Sequence, residues 1–210
     1  MSITYCAIIG DIRQSRSLPR RSRVQARFVT AIETINREFK QQIASKFLLT
    51  LGDEFQGLLV SAADSYRLVR RFQELMQPVP FSFGVGIGTL ATPLRKEALG
   101  MDGEVFHRAR AALEKAKKFK RSIMYDFTSP SLDLLNALIG LLEREHQRLT
   151  PRQRQIIRLV SETDSQALAA RRLRISQPAV SKVVSSLRDV FDAEEALQAF
   201  LRTLGGQQQA

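Results

Sequence analysis

The 210-residue chain has no tryptophan, one cysteine and two histidines. A single cysteine excludes an internal disulfide and points to a cytosolic setting. Cys6 lies inside an apolar run, where a cysteine reads as a small buried hydrophobe. His107 and His146 have no useful mutual spacing, and no Ser-His-Asp or Cys-His nucleophile can be assembled from the sequence. Apolar runs fall short of the roughly 18 residues that suggest a membrane span. The N-terminal "MSITYCAIIGD" lacks a basic start before its apolar run, so it reads as a first strand and not as a signal peptide.

Acidic residues are also in short supply. Net charge is +11, and residues 1–128 carry 21 Lys and Arg against 12 Asp and Glu. The remainder is nearly balanced, with 11 basic and 9 acidic residues. Such a field favours an anionic partner, whether nucleic acid, nucleotide or phosphate. A merely soluble basic surface is the bland alternative.

Apolar spacing predicts the elements. "TYCAIIG" (4–10) is a short buried-strand run. Val24, Phe28, Ile32, Ile35 and Phe39 recur at helical spacing. "KFLLTL" (46–51) and "FQGLLVS" (55–61) flank Gly52-Asp53-Glu54 as a hairpin. A second helix follows around Tyr66, Val69, Phe72 and Leu75. Then come a strand at 81–88, a helix at 104–118 and a strand at 122–127. The order β-α-β-β-α-β begins as a ferredoxin-like split unit. The expected fold is therefore α+β: a palm-like antiparallel sheet with helices over 1–128, a linker helix over 129–149, and an all-α domain over 150–205. Thr128 or Ser129 is available as a cap for the linker helix, whose bland role is packing; a homodimer contact is the alternative. The tail "GGQQQA" reads as disordered.

In a split unit of this kind the end of the first strand and the hairpin lie at one sheet edge. Asp11 and Asp53 should therefore approach each other. Mg²⁺ or Mn²⁺ takes hard oxygen ligands, commonly one or two carboxylates with substrate phosphates. Asp11, Asp53 and the Ile12 carbonyl are the candidate metal ligands. Ser15 and Arg16 follow within reach of phosphate oxygens. Glu54 either points to solvent, or supports the metal, or acts as a base. The competing reading makes Gly52-Asp53 an ordinary turn and Asp11 a strand-end cap. "GVGIG" (84–88) lacks the Walker spacing and reads as a glycine-spaced strand beside a ligand or a paired helix. "GMDG" (100–103) reads as a helix entry with Asp102 as cap, with closure over a ligand as the alternative, and "KAKKFKR" (115–121) as a solvated face or a phosphate or DNA contact.

"GDIRQSR" with "TLGDEFQGLL" is similar to the paired metal motifs of class III nucleotide cyclases and to the GGDEF signature, with Leu51 in place of the first glycine. Together with "FGVGIGTL" and "GMDGEVFHRARAALEKAK", these motifs resemble the SatD family, named from a bacterial stress and acid-tolerance operon. The cyclase resemblance implies that Asp11 and Asp53 are metal aspartates. It places His107 where cyclases carry a ribose-orienting asparagine, and makes Arg108 and Arg110 candidates for nucleotide phosphate contact. The arginine register does not match cleanly, which favours nucleotide binding over catalysis.

From Thr150 the signature changes. "TPRQRQIIRLV" starts with a cap and a proline. "SQALAARRL" (165–173) and "QPAVSKVVSSLRDVF" (177–191) follow with a tight turn between them, an order that resembles bacterial helix-turn-helix regulators. Ala169 sits at the close helix contact, and Leu173, Ile175 and Val180 form a small core. Gln177, Ser181, Lys182, Ser185 and Arg188 are the candidate DNA contacts. A three-helix bundle for protein contacts is the plain alternative. The sequence thus points to a DNA-binding regulator whose palm domain binds a nucleotide with a divalent metal. An active cyclase or nucleotidyltransferase and a non-catalytic adaptor are the alternatives.

Overall fold

The computed structural model describes residues 3–13, 15 and 21–205. It divides into two compact units, Met1–Ile139 with Gln198–Ala210, and Gly140–Leu197. The tail expected to be disordered lies beyond Gly205, outside the described residues, apart from that glycine.

The first unit is built on β1 (Thr4–Ile12), α1 (Arg21–Glu38), β2 (Ile43–Leu51), β3 (Glu54–Leu59), α2 (Ser65–Met76), β4 (Phe81–Thr89), α3 (Glu104–Lys118) and β5 (Ile123–Asp126). The sheet order is β2-β3-β1-β4-β5. Its first four strands take the ferredoxin-like arrangement expected from the element order. The sheet is not purely antiparallel as expected. β5 pairs parallel to β4, with Val85 opposite Tyr125, so the sheet is mixed. The connection from β4 to β5 contains α3, the crossover a parallel neighbour requires.

Strand alternation sorts residues to two faces. Phe55 of β3, and Phe81 and Phe83 of β4, meet Phe28 of α1 and Phe72 of α2, and Ile8 and Ile12 of β1 are buried. The phenyl rings of Phe55 and Phe72 stack at 4.5 Å, and Phe28 sits edge-on to Phe55 at 5.6 Å. The opposite face carries Ala7, Ile9 and Leu58 against Val105, Ala109 and Leu113 of α3. Here β4 presents glycines. A Cβ at Gly84 would overlap the backbone of Ala109 and Leu113, and one at Gly86 would overlap that of Val105 and Ala109. The "GVGIG" spacing thus serves close helix packing.

Both sheet edges are covered, as edges must be. The Asn36 side chain accepts from Phe47 N at 2.9 Å and donates to Phe47 O at 2.8 Å on β2. On β5, Asn136 does the same for Tyr125, at 2.8 and 3.0 Å. Asn136 lies on α4 (Leu132–Arg148), which starts in the first unit and ends in the second. Thr128 does not cap it; its hydroxyl accepts from Arg108 at 2.5 Å.

The second unit holds α5 (Pro151–Thr163), α6 (Gln166–Leu173) and α7 (Gln177–Ser186). Thr150 caps α5 through a reciprocal box with Gln153, as its sequence predicts. Ser165 and Ser176 cap the next two helices. Arg174, in the tight turn, takes the left-handed conformation, φ 54°. Ile156, Ala170 and Val180 form the buried centre, with Leu173 and Ile175 packed on it, and Ala169 is fully buried. α7 does not continue to Phe191 as expected. It ends at Ser186, and a further helix, α8 (Arg188–Gly205), begins two residues later. Among the described residues, no helix is long and apolar enough to cross a membrane.

Candidate functional site

The site lies where β1 ends and the β2–β3 hairpin turns. Strand β1 runs beyond Gly10 to Ile12, and β3 starts at Glu54, one residue earlier than expected. The turn is therefore Gly52-Asp53 alone. Gly52 has φ +41°, a left-handed value that glycine tolerates without strain. Ile12 N donates to Asp53 O at 3.1 Å, so the two motifs meet through the backbone.

Register then decides which acid faces which. Asp11 stands directly opposite Glu54. Directly opposed residues project from the same face of an antiparallel pair. Here that face is the one α3 covers. The carboxyl that shares a face with Asp11 is thus that of Glu54, while Asp53 occupies the turn. Ser15 Oγ donates to Asp53 Oδ2 at 2.5 Å. A small pocket beside this contact is lined by Ser15, Asp53, and Arg21 and Gln25 of α1.

Helix α3 supplies the opposing charge. Its residues 110, 114 and 117 follow each other at intervals of four and three, which places them on one face. Arg110 clasps Glu54 with both terminal nitrogens, Nη2 to Oε1 at 2.7 Å. Lys117 Nζ lies 2.7 Å from Asp11 Oδ2. The side chains of Asp11 and Glu54 are only 16% and 11% exposed. Burial pushes the Asp11 carboxyl above its ordinary value. Lys117 opposes that shift, and the Asp53 and Glu54 charges add to it. Burial also pushes Glu54 up, but Arg110, Thr50 and Lys117 outweigh it, and its carboxyl falls below the ordinary range. The net result is an acidic cluster paired with two cations of one helix.

The remaining sequence candidates are placed elsewhere or differently. His107 is largely exposed and lies 3.1 Å from Asp102. Asp102 does not cap α3; Gly103 does, and Asp102 Oδ1 accepts from Gly103 N at 2.8 Å. Arg108 turns to the other side of the helix, donating to Glu104 at 2.6 Å and to Thr128. Of the two arginines, Arg110 alone reaches the acids. Arg16 lies outside the described residues. His146, which has no sequence-adjacent partner, pairs with Glu194 at 2.8 Å. Gln177, Lys182, Ser185 and Arg188 are exposed and Ser181 is half-buried; Arg188 belongs to α8 and not to α7.

Two participants were not singled out in the sequence: Lys117, hidden in a run of lysines, and Arg21. α1 has no acid in its first turn and begins with Arg21. A cation at the positive end of a helix dipole is unfavourable without an anion, and that mismatch was the available signal.

Among the described residues, no group of three or more His, Cys, Asp and Glu is arranged to hold a metal ion. The donors present are all oxygens: Asp11, Asp53, the Ile12 carbonyl and, on the α3 face, Glu54. That chemistry fits Mg²⁺ or Mn²⁺ and not a softer metal.

A SatD family model matches residues 5–186. No curated protein matches the chain. Solved structures similar to it include a bacterial light-regulated adenylyl cyclase, with 10% identity, a TM-score of 0.44, and coverage of 60% of this chain and 76% of that one. The guanylate cyclase domain of RhGC from Catenaria anguillulae, in complex with GTP, is 11% identical with a TM-score of 0.43, over 54% of this chain and 73% of that one. The adenylyl cyclase CyaB from P. aeruginosa is 13% identical with a TM-score of 0.39, over 54% and 71%. Likenesses of this size say nothing about activity.

Proposed function

The chain belongs to the SatD family, and from that premise we propose that its first unit is a nucleotide-cyclase-like module that binds a nucleoside triphosphate with a divalent metal. One observation carries the reading: Asp11 and Glu54 face each other across β1 and β3, with Asp53 in the adjoining turn, opposite Arg110 and Lys117 of α3. Carboxylates in a row hold a metal; cations on the facing helix hold phosphates. Asp11, Asp53 and the Ile12 carbonyl would hold Mg²⁺ or Mn²⁺, which would supply neutralisation of triphosphate charge. Ser15 orients the Asp53 carboxylate. Arg21, at the N-terminus of α1, lines the pocket beside it, where its guanidinium would meet phosphate oxygens. Arg110 keeps Glu54 ionised, so that this carboxylate does not compete as a proton donor.

Where the module turns over, the ribose 3′-hydroxyl attacks the α-phosphorus. The hydroxyl gives its proton to water, a new P–O bond forms to the α-phosphorus, and the bond from that phosphorus to the bridging oxygen breaks as pyrophosphate departs. Titration calorimetry with each nucleoside triphosphate, with and without Mg²⁺ or Mn²⁺, tests binding. Binding should require metal and fall at least tenfold in Asp11→Ala and Asp53→Ala, as expected for losing a charged ligand. Pyrophosphate release that both substitutions abolish would add catalysis. An absence of binding by any triphosphate under any metal, together with an absence of DNA binding, would leave a non-catalytic adaptor.

A second reading concerns the second unit. Exposed Gln177, Lys182 and Ser185 on α7, preceded by a tight turn from α6, suit a helix-turn-helix that reads DNA. The whole chain would then be a DNA-binding regulator responsive to nucleotide in a stress pathway.

A further inference from the structure

Lys117 is not a simple member of a cationic face. Its ammonium sits 2.7 Å from Asp11 Oδ2, on the carboxylate proposed to take a metal. The same nitrogen lies 3.6 Å from Glu114 Oε1, one helical turn back. Its side chain is 38% exposed, against 16% for Asp11. Arg110 differs in how it holds its partner, not in exposure. It holds Glu54 through a two-point clasp, a geometry the rigid guanidinium favours. Lysine carries a compact point charge on a flexible stem, and here a second acid waits within a short swing.

Resting on the metal–nucleotide reading above, we propose that Lys117 is a built-in counter-ion for Asp11 that an arriving divalent cation must displace, so that free metal binds weakly and metal arriving with a triphosphate binds well. A metal ion and an ammonium cannot share the same carboxylate oxygen without strong mutual repulsion. With metal alone, the displaced ammonium retreats to Glu114 and solvent. With a triphosphate present, the displaced ammonium has a polyanion to meet. The two ligands are thereby coupled, and the coupling is reciprocal. The device also keeps the acids neutralised while the site is empty, which spares the hairpin the repulsion among Asp11, Asp53 and Glu54.

The test is calorimetric titration of the full chain with Mn²⁺ alone and with Mn²⁺ plus inorganic tripolyphosphate. Lys117→Met should bind free Mn²⁺ on the order of tenfold more tightly than the unmodified chain and lose most of the gain that tripolyphosphate brings. Lys115→Met removes the same charge from the same helix. Lys115 pairs with Asp126 at 2.9 Å, away from the acids, so this variant should bind Mn²⁺ as the unmodified chain does. Lys117→Gln, which keeps a polar side chain, serves where the methionine variant does not fold. Unchanged or weaker Mn²⁺ affinity in both Lys117 variants, or equal tightening in Lys115→Met, overturns the proposal while the metal site stands. Failure of all variants to bind Mn²⁺, with or without tripolyphosphate, removes the metal site and the proposal together.

Discussion

Glu38 ends α1 and Arg71 lies in α2, and their side chains bind through two parallel contacts of 2.8 and 2.9 Å. The Arg71 hydrogen bonds are the main reason the Glu38 carboxyl titrates below its ordinary value, with partial burial working against them. A folded-state value below the unfolded one means the pair stabilises fully above the ordinary glutamate range. That contribution disappears as pH falls through the lowered folded value. Both side chains are about a third exposed, so solvent screening limits the pair to about 1 kcal/mol or less. Glu38→Gln should therefore lower the melting temperature at pH 7 and leave it unchanged near pH 3. A deficit that persists undiminished at pH 3 would show that the substitution acts through packing and not through charge. The acids of the candidate site respond to the same forces with another result: burial wins at Asp11, whereas Arg110 wins at Glu54.

At the scale of elements, the position of α3 governs the site, since it carries both Arg110 and Lys117. The helix rests on bare backbone at Gly84 and Gly86, where even a methyl group overlaps it. Gly86→Ala should cost about 1–3 kcal/mol in urea denaturation, the usual penalty of overpacking, because backbone and not a flexible side chain must yield. A loss within experimental error would mean the helix floats more freely than its contacts indicate. α3 was legible to the residue, because its apolar period is clean and glycines precede it. The boundary of α7 was not. From Gln177 onwards there is no glycine to break the helical pattern before Gly205, and the only proline is at its start, so no breaker in the sequence marks the stop at Leu187. The parallel pairing of β5 escaped for a related reason: a two-residue period reports which face a side chain takes, not which way its strand runs. In the site, Asp11 and Asp53 could be read from their motifs. The partnership of Asp11 with Glu54 could not, because a one-residue change in register exchanges the faces. Lys117 became visible only once the helix was seated on the sheet.

At the scale of the molecule, charge is distributed so that two kinds of anion binding must be told apart. Most of the +11 excess lies in residues 1–128, and little of it in the segment that holds the helices proposed to read DNA. A chain this basic is retained by any polyanion at low salt, whatever its α7 does. Specific DNA recognition therefore has to be measured as a difference. Gln177 opens α7, the end of a recognition helix that reaches base edges, and Lys182 lies one and a half turns further along. If the second unit reads DNA, Gln177→Ala should weaken a preferred duplex from the chain's own promoter by about 1–3 kcal/mol and narrow its margin over a scrambled duplex. Lys182→Ala should weaken both duplexes alike and reduce the salt slope by about one. Neither change should alter retention on heparin, which the first unit's charge dominates. Fluorescence anisotropy across a salt series makes all three comparisons. Equal affinity for both duplexes, unmoved by Gln177→Ala, would assign α5–α7 to a protein-binding bundle and the chain's anion affinity to its first unit.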